Sequence, residues 1–122
     1  MSTRIPANQV KLKRAYDAPL VDDGTRILVD RLWPRGVSKA EAAIQQWMKE
    51  IAPSTELRKW FGHEPAKWDE SRRRYGEELR RNEKLLAQLR SVARKGTVTL
   101  VYSAHDEAHN DAIVLRAVLL GR

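Results

Sequence analysis

Ile27-Leu28-Val29 is a continuous apolar run, with Asp22-Asp23-Gly24 before it and the crowded loop Asp30-Arg31-Leu32-Trp33-Pro34-Arg35-Gly36 after it. A strand with no polar side suits a place buried on both faces, because successive side chains point to opposite sides of a sheet. Such strands belong mainly to parallel sheets covered by helices. Thr97-Val98-Thr99-Leu100-Val101-Tyr102, dense in β-branched residues, is the clearest strand of the chain. Gln9-Val-Lys-Leu-Lys-Arg14 alternates apolar and basic residues, the period of a half-buried strand. Helical signals separate these runs, and strands interleaved with helices define the α/β class. The expected architecture is one domain over residues 1–122, with a small, mostly parallel sheet of three or four strands and helices packed on it. Strand order does not follow from these patterns.

The helices announce themselves by their ends. Ser38-Lys39-Ala40-Glu41 has the form of a capping box, which predicts a helix from residue 39 that fades before 47. Residues 47–51 read equally as its last turn or as a short strand, and Pro53 ends either. Ser54 caps a short helix that runs through Phe61 and stops at Gly62. Pro65 fits the first turn of the next helix, in which Trp68, Tyr75 and Leu79 share a face. Asn82 is the expected cap of a following helix, whose stripe is Leu85, Leu86, Leu89, Val92 and Ala93 and whose end is Gly96. A last helix is expected over 108–120.

Composition narrows the chemistry. With no cysteine among its 122 residues, the chain has no disulfide, thiolate metal site or cysteine nucleophile. No apolar run approaches the roughly 20 residues of a membrane helix. No hydrophobic stretch follows the opening Met1-Ser2-Thr3-Arg4-Ile5-Pro6, so a cytoplasmic chain without a secretory signal is expected. The net charge is +7, and residues 56–95 carry 12 basic against 7 acidic side chains, a surplus that favours polyanions. Runs such as Arg72-Arg73-Arg74 are also ordinary solvated helix faces.

In open α/β sheets, ligands bind beyond the carboxyl ends of the strands. Two such ends are rich in polar groups, the loops 30–36 and 103–110, and neighbouring strands would place them across one crevice. Pro34 holds Trp33 extended and Gly36 lets the chain turn, so Arg31 and Arg35 can present planar forks suited to phosphate or carboxylate. Trp33 itself reads as a plug of the core, and Asp30 as a partner that aligns an arginine. The second loop, Ser103-Ala104-His105-Asp106-Glu107-Ala108-His109-Asn110, leads into a helix N-terminus, where free N–H groups can hold an anion. Asp106, Glu107 and Asp111 there already complement the helix dipole. His105 and His109 lack the spacing of a zinc helix, and Ser103 lacks the strained turn of a hydrolase nucleophile.

Together these loops, with Ala52–Phe61 and Arg74–Leu79, resemble the YeaO-like branch of the bacterial family called domain of unknown function 488. The motifs that carry the resemblance are V-D-R-x-W-P-R-G at 29–36, A-P-S-x-x-L-R-x-W-F at 52–61, R-Y-x-x-E-L at 74–79 and L-x-Y-S-A-x-D-x-x-H-N-x-A-x-V-L at 100–115. The resemblance spans nearly the whole chain and implies its α/β fold, but no established activity. It marks Arg58 beside the loop residues. The chain departs from the pattern at His105, where lysine is common, and at Asp111, where an amide or histidine is usual.

These readings combine into an anion-binding crevice for a phosphate-bearing molecule, a phosphate, a nucleotide or a nucleic-acid end, with Arg31, Arg35 and Arg58 as donors and Ser103, His109 and Asn110 opposite. If chemistry follows, His109 is the general acid or base and Asp30 its partner. No metal or membrane is called for, and cofactor and oligomeric state are left open. The alternative is a non-catalytic nucleic-acid binder using the basic helices of 72–95. In a third reading the motifs serve folding alone, through buried Arg–acid pairs.

Overall fold

The computed structural model describes residues 5–121; the opening Met1–Arg4, read above for a signal, lie outside the described residues. The described residues form a four-stranded, wholly parallel sheet and five α-helices. The strands are β1 (Val10–Arg14), β2 (Thr25–Leu28), β3 (Gln46–Trp47) and β4 (Val98–Tyr102), in the spatial order β1-β4-β2-β3. The helices are α1 (Lys39–Ala42), α2 (Thr55–Phe61), α3 (Trp68–Arg80), α4 (Glu83–Lys95) and α5 (Asp111–Leu119). None of them is long and apolar enough to cross a membrane.

β4 lies between β1 and β2, and all five of its residues are buried, as its composition demands. Its register pairs Val98 with both Val10 and Thr25, and Val101 with both Lys13 and Leu28. Because the sheet is parallel, every strand ends at the same edge. The main core covers one face, where Ile27, Val29, Leu100 and Tyr102 meet Leu86, Leu89 and Leu115 of α4 and α5. The opposite face is thinner: Leu28 and Val101 pack with Ala15 under Trp33 and Ile44.

That thin face also holds a charge. Arg26, only 2% exposed, donates to the Asp23 carboxylate at 2.6 Å and to the Ala42 carbonyl through Nε and Nη2. Lys13 is a second partner of Asp23 at 3.2 Å. A buried guanidinium costs several kcal/mol unless its donors are matched, and this pairing matches them. The preceding Gly24 has φ +63°, and a Cβ there would lie 2.2 Å from the Thr97 carbonyl oxygen. Only glycine lets the chain enter β2 so close to β4.

Several helix ends fall where their sequence signals place them. Ser38 and Glu41 form the reciprocal capping box, Ser54 caps α2, and Gly62 ends it in the left-handed region. Other boundaries differ. The helix from residue 39 does not approach 47: Ala43, at φ 50°, stops it after one turn. Residues 46–47 then pair as the edge strand β3, and 49–51 form a 3-10 turn. Asn82 stands at the N-cap of α4, but its side chain donates to the Glu50 carbonyl at 3.4 Å. The last helix begins at Asp111 instead of 108, because Asp106 accepts from the N–H groups of Ala108 and His109 and holds that stretch as a turn.

Candidate functional site

Loops 30–36 and 103–110 leave the carboxyl ends of the neighbouring strands β2 and β4. They meet at Asp30, whose Oδ2 accepts from the Ser103 N–H at 2.9 Å and its hydroxyl at 2.6 Å. The Asp30 carbonyl takes the Trp47 indole N–H at 2.7 Å, which ties the same loop to β3. Burial raises the Asp30 carboxyl above its ordinary range, and the two Ser103 donors pull it back in part.

Beside this junction lies a crevice of about 450 Å³. Leu57, Arg58, Phe61 and His63 line one side, Ser103, His109, Asn110 and Asp111 another, and Asp30, Arg31 and Pro53 contribute between them. Its exposed surface is mainly apolar, while most of the residues around it carry polar or charged groups, Asp30, Asp106 and Asp111 among them.

The arginines divide. Arg58 lines the crevice, and its guanidinium makes no hydrogen bond or ion pair among the described residues. Arg31 also lines it, but Nε and Nη2 point at the Pro53 and Ala52 carbonyls at 3.3–3.4 Å, and Nη1 lies 3.9 Å from Glu50. It clasps the chain end before α2. Arg35 is not brought into the crevice. Pro34 is buried and Gly36 turns at φ +79°, so the Arg35 side chain is exposed outside, while its carbonyl accepts from the Tyr16 hydroxyl. Trp33, as its plug reading requires, is half-buried on the thin face, edge-on to Trp47 at 5.5 Å.

The polar residues of the second loop also take distinct parts. Asn110, 3% exposed, caps α5 by accepting from the Ile113 N–H, and it donates to the Asp106 carbonyl. His109 finds its carboxylate in Asp106, 2.9 Å from Nδ1, and not in Asp30, which Ser103 occupies. That contact holds the Asp106 carboxyl below its ordinary value. His105 Nδ1 faces Arg14 at 3.2 Å, so the two histidines do not converge on one point.

Two features were not read as site elements from the sequence. Asp111 is half-buried at the start of α5, and its carboxyl is pushed up to about 7 by burial, then by the charges of Asp30 and Glu78. Its side chain makes no hydrogen bond among the described residues. The other is an aromatic line: His63 to Phe61 at 5.9 Å, Phe61 to Trp68 at 5.8 Å, and Trp68 to His109 at 5.4 Å. His63 sits at φ 58°, directly after the left-handed Gly62. The motif Phe61-Gly62-His63 held the signal for this line, since a helix-ending glycine re-aims the residue after it.

On α3, Arg72 pairs with Asp69, Arg73 with Glu70 and Glu77, and Arg74 with Glu70. Glu70 is held at about 2 by Arg73 and Arg74. Much of the positive row is therefore matched on its own helix. Trp60, between Lys67 and Arg74, has cations at 5.1 Å and 4.3 Å from its ring.

A family model described as the inactive DUF488-N3 subclade matches residues 9–122. The uncharacterized protein YeaO of Escherichia coli is 46% identical over 106 residues, covering 87% of this chain and 92% of the relative. The uncharacterized protein Mb3100c of Mycobacterium bovis is 41% identical over 114 residues, or 93% of this chain and 96% of the relative. No solved structure matches the chain. With its four motifs in order, a family model over nearly its full length and relatives above 40% identity across most of both chains, this protein belongs to the YeaO-like family of domain of unknown function 488.

Proposed function

We propose that the crevice binds a small molecule through a phosphate or other anionic group, with Arg58 as its principal donor. The observation that carries this reading is a guanidinium without a partner among the described residues, lining a 450 Å³ crevice beyond the carboxyl ends of a parallel sheet. A free planar fork suits a phosphate geometrically and electrostatically. Arg31 supports the site mainly by fixing the segment before α2. Binding, not turnover, is the function: the family model describes an inactive subclade, and Asp30 is committed to Ser103. A polyanion surface on α3 has less to support it, because Arg72, Arg73 and Arg74 are matched by acids.

The test is calorimetric titration with phosphate-bearing small molecules at fixed salt. Arg58→Ala is expected to weaken binding by about tenfold or more, the loss of one charge-assisted hydrogen bond. Unchanged affinity in that variant would overturn the proposal. Arg35→Lys is expected to change affinity by less than about twofold and stability by less than about 0.5 kcal/mol, as for an exposed side chain. A tenfold loss there would instead restore a clamp built on the first loop. Binding that collapses with added salt would point to a polyanion, through counterion release.

A further inference from the structure

The crevice is too large for a bare phosphate. At about 30 Å³ per water, its 450 Å³ equals the space of about fifteen waters, so an occupant needs a body as well as an anionic group. The walls state what kind of body. Phe61 and His63 present rings on the side that carries Arg58, and His109 presents a third from the loop before α5. Trp68, 8% exposed, stands behind them in contact with both Phe61 and His109, and so fixes the two rings relative to each other. Rings held in this way favour a flat partner over a flexible chain.

Arg58 and Phe61 are three residues apart on α2, on one face and about 4.5 Å along its axis. A ligand stacked near Phe61 therefore has its anionic group within a turn of Arg58. Also lining the crevice, Asp111 receives no hydrogen bond among the described residues and lies close enough to Asp30 and Glu78 to feel both charges. A carboxyl so placed is best satisfied by an N–H donor brought by the ligand. A flat ring with an N–H edge and a phosphate one turn away describes a nucleotide.

Resting on the anion-binding reading above, we infer that the occupant is a nucleoside monophosphate whose base stacks on Phe61 and meets His63, tilted 52° to that ring, at an angle, gives its amino group to Asp111 and sets its phosphate at Arg58. Carboxylates accept from the exocyclic amino groups of bases, and base–aromatic stacking is itself worth about tenfold or more in affinity.

The full chain is titrated by calorimetry with inorganic phosphate, ribose 5-phosphate, the four common nucleosides and their monophosphates. Adenosine, guanosine and cytidine monophosphates are expected to bind at least about tenfold more tightly than ribose 5-phosphate. Uridine monophosphate, which lacks the amino group, should trail them by about threefold or more. Phe61→Leu keeps an apolar side chain but removes the ring. It is expected to cost the nucleotides about tenfold and ribose 5-phosphate less than about twofold. Asp111→Ala should bring uridine monophosphate level with the rest. Ribose 5-phosphate as tight as the nucleotides overturns the base inference and leaves the anion reading standing. Nucleosides as tight as their monophosphates overturn the anion reading instead. No binding by any of these probes at millimolar concentration overturns both.

Discussion

Replacing Asp111 by Asn is expected to stabilise the protein at pH 8 by on the order of 3 kcal/mol and to change it little at pH 4. In the folded chain the Asp111 carboxyl titrates near 7, against an ordinary 3.8, because it is half-buried at the head of α5 and faces Asp30 and Glu78. Between those two values the native state holds a proton that the unfolded chain has released. Stability contributed by this group is therefore lost as pH rises from about 4 through 7, and the full penalty stands above 7. A gap of about three pH units corresponds to at most about 4 kcal/mol, and partial solvation of the side chain lowers that figure. Asparagine removes the charge while keeping size and polarity. It also forfeits a favourable helix-dipole contact at the first turn of α5, a smaller and opposite effect of about 0.3–1 kcal/mol. Asp30 is raised by burial and gives the wild type a residual slope of the same sign. Urea denaturation of both proteins at pH 4 and pH 8 measures the difference. A variant less stable than wild type at pH 8, or a gap that ignores pH, would mean that Asp111 is an ordinary helix-start acid.

What the sequence makes legible is what depends on neighbours along the chain. The strands at 10–14 and 98–102, the caps Ser38 and Ser54 and the stop at Gly62 are set by residues within one turn, and they stand where they are expected. The early end of α1 is a tertiary effect: Gln45 donates to the Arg26 carbonyl, and its side chain accepts from the Arg26 N–H, which draws 45–47 onto β2. Asp23 reads as turn chemistry, yet it is a buried partner of Arg26. A period-2 rule cannot foresee a strand arginine satisfied by a helix-end carbonyl sixteen residues away.

The candidate site divides along the same line. The meeting of loops 30–36 and 103–110 follows from parallel strands ending at one edge. Arg35 leaves the crevice because Trp33 packs on the thin face and fixes the path of the chain after it, while Arg31 turns to the Ala52 and Pro53 carbonyls. Asp111 was legible only as a helix-start acid. What raises it, Asp30 and Glu78, comes from distant segments.

Trp68→Ala is expected to cost roughly 3–5 kcal/mol, the range for removing a large buried ring. Its spacing with Tyr75 and Leu79 marks a core face, and all three are buried, Tyr75 with its hydroxyl on the Ile51 carbonyl at 2.7 Å. Truncation would remove the ring between Phe61 and His109 and open a void that α3 cannot close by itself, because its neighbours Ser71 and Tyr75 are already buried against other elements. Trp68→Phe keeps a ring at the same place, and about 1.5 kcal/mol or less is expected for that shape change. The pair of variants separates volume from ring contact. If Trp68 only fills space, Trp68→Phe should restore stability and any ligand affinity together. If it aligns Phe61 with His109, Trp68→Phe should fold nearly as well as the wild type and still bind nucleotides more weakly. Guanidinium denaturation gives the first quantity and titration the second. A loss below about 1 kcal/mol in Trp68→Ala would mean an exposed ring, and the aromatic wall would then lose the support that makes it a site.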